Sequence, residues 1–328
     1  MKRLVLLTTV LFGFATFTYA QFQFTSIDYP GGFGTTARGI NNHGQIVGAY
    51  ADQSYTLHAL LIQNGTFIPL APAILGTGYS QAFKINDRGD VVGEYCDDVA
   101  CHGFLIRKGV LTTLDFPGAS DTYAWGINES GKVVGYWDLF DQSGNFLSAQ
   151  GFIWKDGNFS ELAYPGSGDS YARAINAAGV IVGSWDTGLT ATSEHGYVDW
   201  KGQFVSFDAP FPDVAYTFPN GINAIGHIVG SKWTAYEYDN NLGHGFLAVG
   251  SSFTPIDYPG AVQTTAWGIN SAGQMVGNWY DSSYIVHGWL IQPGKKGKPQ
   301  CTRAKEIANS RSGLHRPVHK KQVLAGRD

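Results

Sequence analysis

Aromatic and carboxylate side chains recur as close neighbours along the chain: Tyr50 with Asp52, Tyr95 with Asp97, Trp137 with Asp138, Trp185 with Asp186, Trp233 with Tyr236 and Tyr238, and Trp279 and Tyr280 with Asp281. Flat rings stack on sugar faces and carboxylates accept from sugar hydroxyls, so the pairing suits glycan recognition. The same carboxylates could hold Ca²⁺. Glycoside hydrolysis would need two carboxyl groups about 5 to 9.5 Å apart, a distance that sequence spacing does not supply. The blander alternative is that the rings cap strand edges and each Asp opens a loop through an Asx turn. Arg38 and Arg173 are further ligand candidates, because a buried guanidinium needs a partner. No G-x-S-x-G, H-E-x-x-H or phosphate-binding glycine loop occurs.

The elements that must position these residues follow from an internal repeat. The pattern I-N-x-x-G-x-[IVM]-V-G occurs six times, with its asparagines at Asn41, Asn86, Asn128, Asn176, Asn223 and Asn270. Intervals of 45, 42, 48, 47 and 47 residues fit one four-stranded propeller blade per repeat. A second element, H-[AG]-[LFYW], follows at His58, His102, His195, His244 and His287, with Gln150 in the third unit. A third, ending D-[YF]-P-G, is whole at Asp28, Asp115 and Asp257 and degenerate near Leu70, Tyr164 and Asp208.

Each unit therefore reads as strands A to D, for example Ala124–Asn128, Lys132–Trp137, His102–Arg107 and Leu111–Asp115, with turn residues between them. Asn and Gly of N-x-x-G suit a tight A–B turn. A lone D-type strand, Phe24–Asp28, precedes the first A strand, while the last unit, Ala266–Ile291, lacks its D strand. The predicted fold is all-β: a six-bladed propeller of four-stranded blades, closed by the N-terminal strand joining the C-terminal blade, which removes an exposed edge.

These combined motifs resemble the HAF-repeat family of extracellular bacterial proteins, over all six units from about Phe24 to Ile291. The resemblance implies an exported repeat protein and no catalytic residue. The third unit departs from it at Gln150.

Within strand A, the residue four before each Asn is Ala37, Ala82, Ala124, Ala172, Pro219 or Ala266, small enough for the crowded axis. The next residue varies: Arg38, Phe83, Trp125, Arg173, Asn220 and Trp267, the aromatics among them reading as interblade packing. The repeated histidines are too far apart around a disc to share a metal ion, and each is expected to lock its own blade.

Charge is divided unevenly. Residues 21–292 hold ten basic and twenty-four acidic side chains, and 293–328 ten basic against two acidic. An acidic body argues against nucleic-acid binding, while the basic tail, expected to be disordered, could touch anionic surfaces. Residues 1–20 read as a signal peptide, placing the mature chain outside the cell or in a periplasm, with no later span for a membrane. In such a compartment Cys96 and Cys101 are expected to form a local disulfide, leaving Cys301 over.

Length variation locates the working face. Asn to Gly in the A–B turn is three residues throughout, whereas the interval from the last motif Gly to the His or Gln runs 10, 9, 15, 12, 14 and 10. B–C and D–A loops share one face, and variable loops on a rigid frame are where binding residues gather. The expected function is a noncatalytic binding or scaffold propeller for a glycan or cell-surface protein. Its site would use Trp137, Asp138, Trp185, Asp186, Trp233, Tyr236, Arg38 and Arg173. The alternative is a secreted polysaccharide hydrolase or lyase, which should gather charged residues from several blades at the channel mouth.

Overall fold

Every N-x-x-G segment turns the chain in the same way. The Asn41 Oδ1 accepts from the backbone of His43 and Gln45, and Gly44 takes φ +76°, a conformation glycine adopts without strain. The last glycine of each motif is fixed by crowding instead. A Cβ on Gly48 would collide with the Thr36 carbonyl, and the same clash with strand A recurs at Gly93, Gly135, Gly183, Gly230 and Gly277.

The computed structural model describes residues 22–70, 78–189 and 191–293. The expected leader, the basic tail beyond Pro293 and Cys301 lie outside the described residues. The chain is an all-β propeller of six four-stranded antiparallel sheets, each ordered A-B-C-D. The A strands are Gly34–Ile40, Ser80–Ile85, Asp121–Ile127, Asp169–Ile175, Val214–Ile222 and Gln263–Ile269 for blades one to six. The sixth blade takes its D strand from the N-terminus: Gln23–Ile27 pairs antiparallel with Val286–Gln292, from Gln23↔Gln292 to Ile27↔Gly288. Phe24 lies edge-on to the fully buried Trp289, 5.5 Å between centroids. One helix, Ala235–Asn240, interrupts the B–C loop of blade five, started by a capping box between Thr234 and Glu237. Among the described residues no helix is long and apolar enough to cross a membrane.

The core lies between blades. Val47 and Ala59 of blade one, for instance, pack with Ala82 and Phe104 of blade two. The motif asparagines add a polar belt. Each Nδ2 donates to the backbone carbonyl of the Asn in the next blade, from Asn41 to Asn86 and on to Asn270, which returns to Asn41, at 3.0–3.2 Å. The ring is closed by six equivalent bonds, and its amides are turn makers and blade couplers at once.

The axis differs from the sequence expectation. The small residues four before each Asn face neighbouring blades, with Ala37, Ala82, Ala124, Ala172 and Ala266 wholly buried. In all six A strands the register shifts at the next residue, a bulge that turns Arg38, Phe83, Trp125, Arg173, Asn220 and Trp267 out of the pairing. The aromatics among them pack between blades, as expected, and they do so at the axis: Phe83 meets Trp125 of the next blade at 4.7 Å, and Trp125 and Trp267, from opposite blades, approach to 5.8 Å between centroids. Lys84 Nζ donates to the carbonyls of Arg38 and Trp267 at 3.1 and 3.0 Å. Burial, then the charges of Arg38 and Arg173, lowers its pKa to about 7.

Candidate functional site

The plugged axis leaves a blind mouth on the B–C and D–A face, and strand pairing sets what lines it. Two residues outward from the bulge, the A strand and its B partner present Gln81 with Glu94, Tyr123 with Tyr136, Tyr171 with Ser184, and Phe218 with Ser231 in blades two to five. Two residues further out come Asp121 with Asp138, Asp169 with Asp186, and Tyr216 with Trp233. Blade one has small residues at these places, Thr36 with Ala49 and Gly34 with Ala51. Blade six presents Thr265 with Asn278 and Gln263 with Tyr280, so the mouth is asymmetric, with its carboxylates concentrated in blades two to four.

A cavity of about 320 Å³ occupies the side next to blades four and five, lined by Tyr171, Arg173, Glu194, Trp233, Tyr238 and Trp267, within the range of small-ligand sites. Arg173 Nη2 lies 3.3 Å from Glu194 Oε1, with only 13% and 14% of the two side chains exposed. Its Nε donates to Ser184 Oγ, and its guanidinium sits over the rings of Trp125 and Phe218, both at 5.0 Å. Burial raises the Glu194 carboxyl, and Arg173 opposes the rise. Tyr238 stacks on Tyr216 at 4.1 Å and meets the Trp233 ring edge-on. The buried Asn220 Oδ1 and the indole nitrogens of Trp233 and Trp267 have no hydrogen-bond partner, a condition that invites a ligand or water.

The opposite wall is acidic. Burial pushes the Glu94 carboxyl up to about 7, although the Tyr79 hydroxyl donates to it at 2.9 Å and Arg38 is nearby. Burial, then the charges of Asp121, Asp169 and Glu94, pushes Asp138 up to about 7. Arg38 lies over Trp267 and Phe83, at 4.4 and 5.2 Å from their centroids, with an unpartnered Nε.

The structure sorts the expected site residues into three groups. Arg173 and Trp233 line the cavity, and Arg38, Asp138 and Asp186 belong to the mouth. Trp137 and Trp185 are caps: each stacks on the ring of the preceding [YF]-P-G segment, Phe116 at 5.1 Å and Tyr164 at 4.4 Å. Tyr50 on Tyr29 and Trp279 on Tyr258 repeat this contact. Tyr236 is 70% exposed on the helix, and Tyr238 takes the lining place instead. Asp52, Asp97, Asp141 and Asp281 accept from backbone amides of their own loops. Among the described residues no group of three His, Cys, Asp or Glu is placed to hold a metal ion. Cys96 and Cys101 are cross-strand partners joined by a disulfide. Glu94, Asp121, Asp169, Tyr171 and Glu194 were missed in the sequence; for the first four the available signal was their departure from the small residues of blade one at matching A- and B-strand places, whereas Glu194 lies in the B–C loop just before the C strand His195–Trp200 and has no such counterpart.

No protein-family model matches the chain, and no curated protein matches it. Among solved structures, a triple arginine-to-alanine mutant of AofleA from Arthrobotrys oligospora is similar, with TM-score 0.51 and 10% identity over 83% of this chain and 87% of that one. A mutant of the Aleuria aurantia lectin in complex with Fucα1-6GlcNAc has TM-score 0.50 and 10% identity over 79% of this chain and 93% of that one. Both likenesses are of fold.

Proposed function

We propose that the chain is an exported carbohydrate-binding propeller with a single site at the axial mouth. The observation that carries this reading is the cavity in which Trp233, Tyr238 and Tyr171 surround the enclosed Arg173–Glu194 pair. Rings offer stacking faces, and the ion pair offers fixed donors and acceptors to hydroxyls. The two similar propellers include a lectin in complex with a fucosylated disaccharide, which supports a sugar as ligand. The disulfide supports an oxidising compartment. A glycan array identifies the ligand, and an Arg173→Gln/Glu194→Gln variant, which removes both charges together, is expected to lose binding while keeping its fold. Unchanged binding by that variant defeats the reading.

A second reading, polysaccharide cleavage, is favoured by one observation: Glu94 and Asp138 lie on neighbouring blades of the acidic wall, where burial pushes both carboxyl groups up to about 7, a range in which a carboxyl group can donate and take protons. It expects new reducing or unsaturated ends from a bound polysaccharide, abolished in Glu94→Gln. A bound polysaccharide recovered intact rules it out.

A further inference from the structure

We propose that the mouth selects an amine-bearing glycan, its ammonium seated between the facing carboxylate pairs Asp121–Asp138 and Asp169–Asp186 of blades three and four. This rests on the carbohydrate-binding reading above and names the ligand's charge.

Charge complementarity is the first support. Among the described residues none of these four carboxylates has a cation within ion-pair distance, and Arg173 of blade four is engaged by Glu194. Carboxylates directly opposite one another across a strand pair repel. Asp169 spends one oxygen on the backbone amide of Ala149 and Asp186 one on that of Gly188, while Asp121 accepts from the Cys101 amide and from the Tyr123 hydroxyl. Asp138 Oδ1 is enclosed with no partner.

Orphaned acceptors are the second, independent support. Gln81, 5% exposed and hydrogen-bonded to Glu94 of the same wall, leaves Oε1 without a donor, and the fully buried Asn220 leaves Oδ1 so across the mouth. A ligand rich in donors answers both, and an ammonium carries three. The orphaned donors, Arg38 Nε and the Trp125 and Trp267 indoles, lie in the floor and match ring hydroxyls of the same sugar. A bare metal ion does not fit, since no three carboxylates among the described residues are placed to share one. Two residues inward of the carboxylate pairs, on the same strands, stand Tyr123, Tyr136 and Tyr171, packed at 4.7 and 5.1 Å, whose faces attract a cation.

The test is titration calorimetry with a β-1,4-linked glucosamine trimer, at a pH where its amines are protonated, against the same trimer N-acetylated. The wild type is expected to bind the amine form about tenfold tighter or better. Asp138→Asn, which breaks no hydrogen bond, and Asp138→Asn/Asp169→Asn are expected to erase that preference. Glu161→Gln, an exposed change on an outer strand, is expected to preserve it. Equal binding of the two trimers, a preference that survives in the double variant, or one lost equally in Glu161→Gln overturns the proposal. If neither trimer binds but a neutral oligosaccharide does, the amine assignment falls and the carbohydrate reading stands; if no oligosaccharide binds, both fall.

Discussion

His287 Nδ1 lies 2.6 Å from Asp28 Oδ1, across 259 residues of sequence. The same pair joins His102 to Asp115, His195 to Asp208 and His244 to Asp257 at a separation of 13 residues. The sixth blade completes the pattern only by taking its Asp from the N-terminal strand. Deleting residues 22–29 should strip Phe24 from Trp289, expose a strand edge, and cause aggregation or loss of cooperative melting. Asp28→Asn alone should cost about 1 kcal/mol, since both groups are partly exposed. A deletion variant that melts like the wild type contradicts closure by this strand.

The asparagine ring should be more sensitive than a turn needs to be. Asn128→Ala removes its bond to the Asn176 carbonyl together with the acceptor for Ser130 and Lys132 amides, so about 2–3 kcal/mol should be lost. Substitution of a turn residue facing only its own hairpin would cost less. Chemical denaturation of the variant measures the difference.

Asp138 gives stability a definite pH dependence. Its carboxyl is raised to about 7 in the fold, so the unfolded chain releases this proton first as pH rises above about 4. The penalty therefore grows until the folded group also ionises near 7, and stays above it. Asp138→Asn should leave melting unchanged at pH 4 and raise stability at pH 8 by about 1 kcal/mol, or roughly 2 °C. A variant less stable than wild type at pH 8 contradicts this assignment.

Trp185 stacks on Tyr164 and donates from Nε1 to Ser206 Oγ. Truncation to Ala should cost about 3 kcal/mol of folding stability through the space it leaves. Ligand affinity should not change, because the ring belongs to the blade cap.

The fold was legible because every blade spells its own turn: the Asn and Gly of N-x-x-G recur at a blade-length interval, and the spare Phe24–Asp28 segment declares how the ring closes. The axis was not. Trp125 and Trp267 meet across blades three and six because a bulge rotates them out of pairing, and a bulge leaves no mark in a hydrophobic pattern. The site was half legible. Arg173 and Trp233 stood out by type, whereas Glu194 and Asp169 take meaning only from the blades facing them. Trp137 and Trp185 misled, since an aromatic beside an Asp reads alike whether it stacks on a sugar or on Phe116 and Tyr164.

Isothermal titration of the wild type and Trp233→Ala with an oligosaccharide taken from a glycan array addresses the single axial site directly. One ligand per chain in the wild type, with affinity lowered in the variant by about 1–3 kcal/mol and melting little changed, is the expected result. Several equivalent ligands per chain, or undiminished binding by Trp233→Ala, would contradict it.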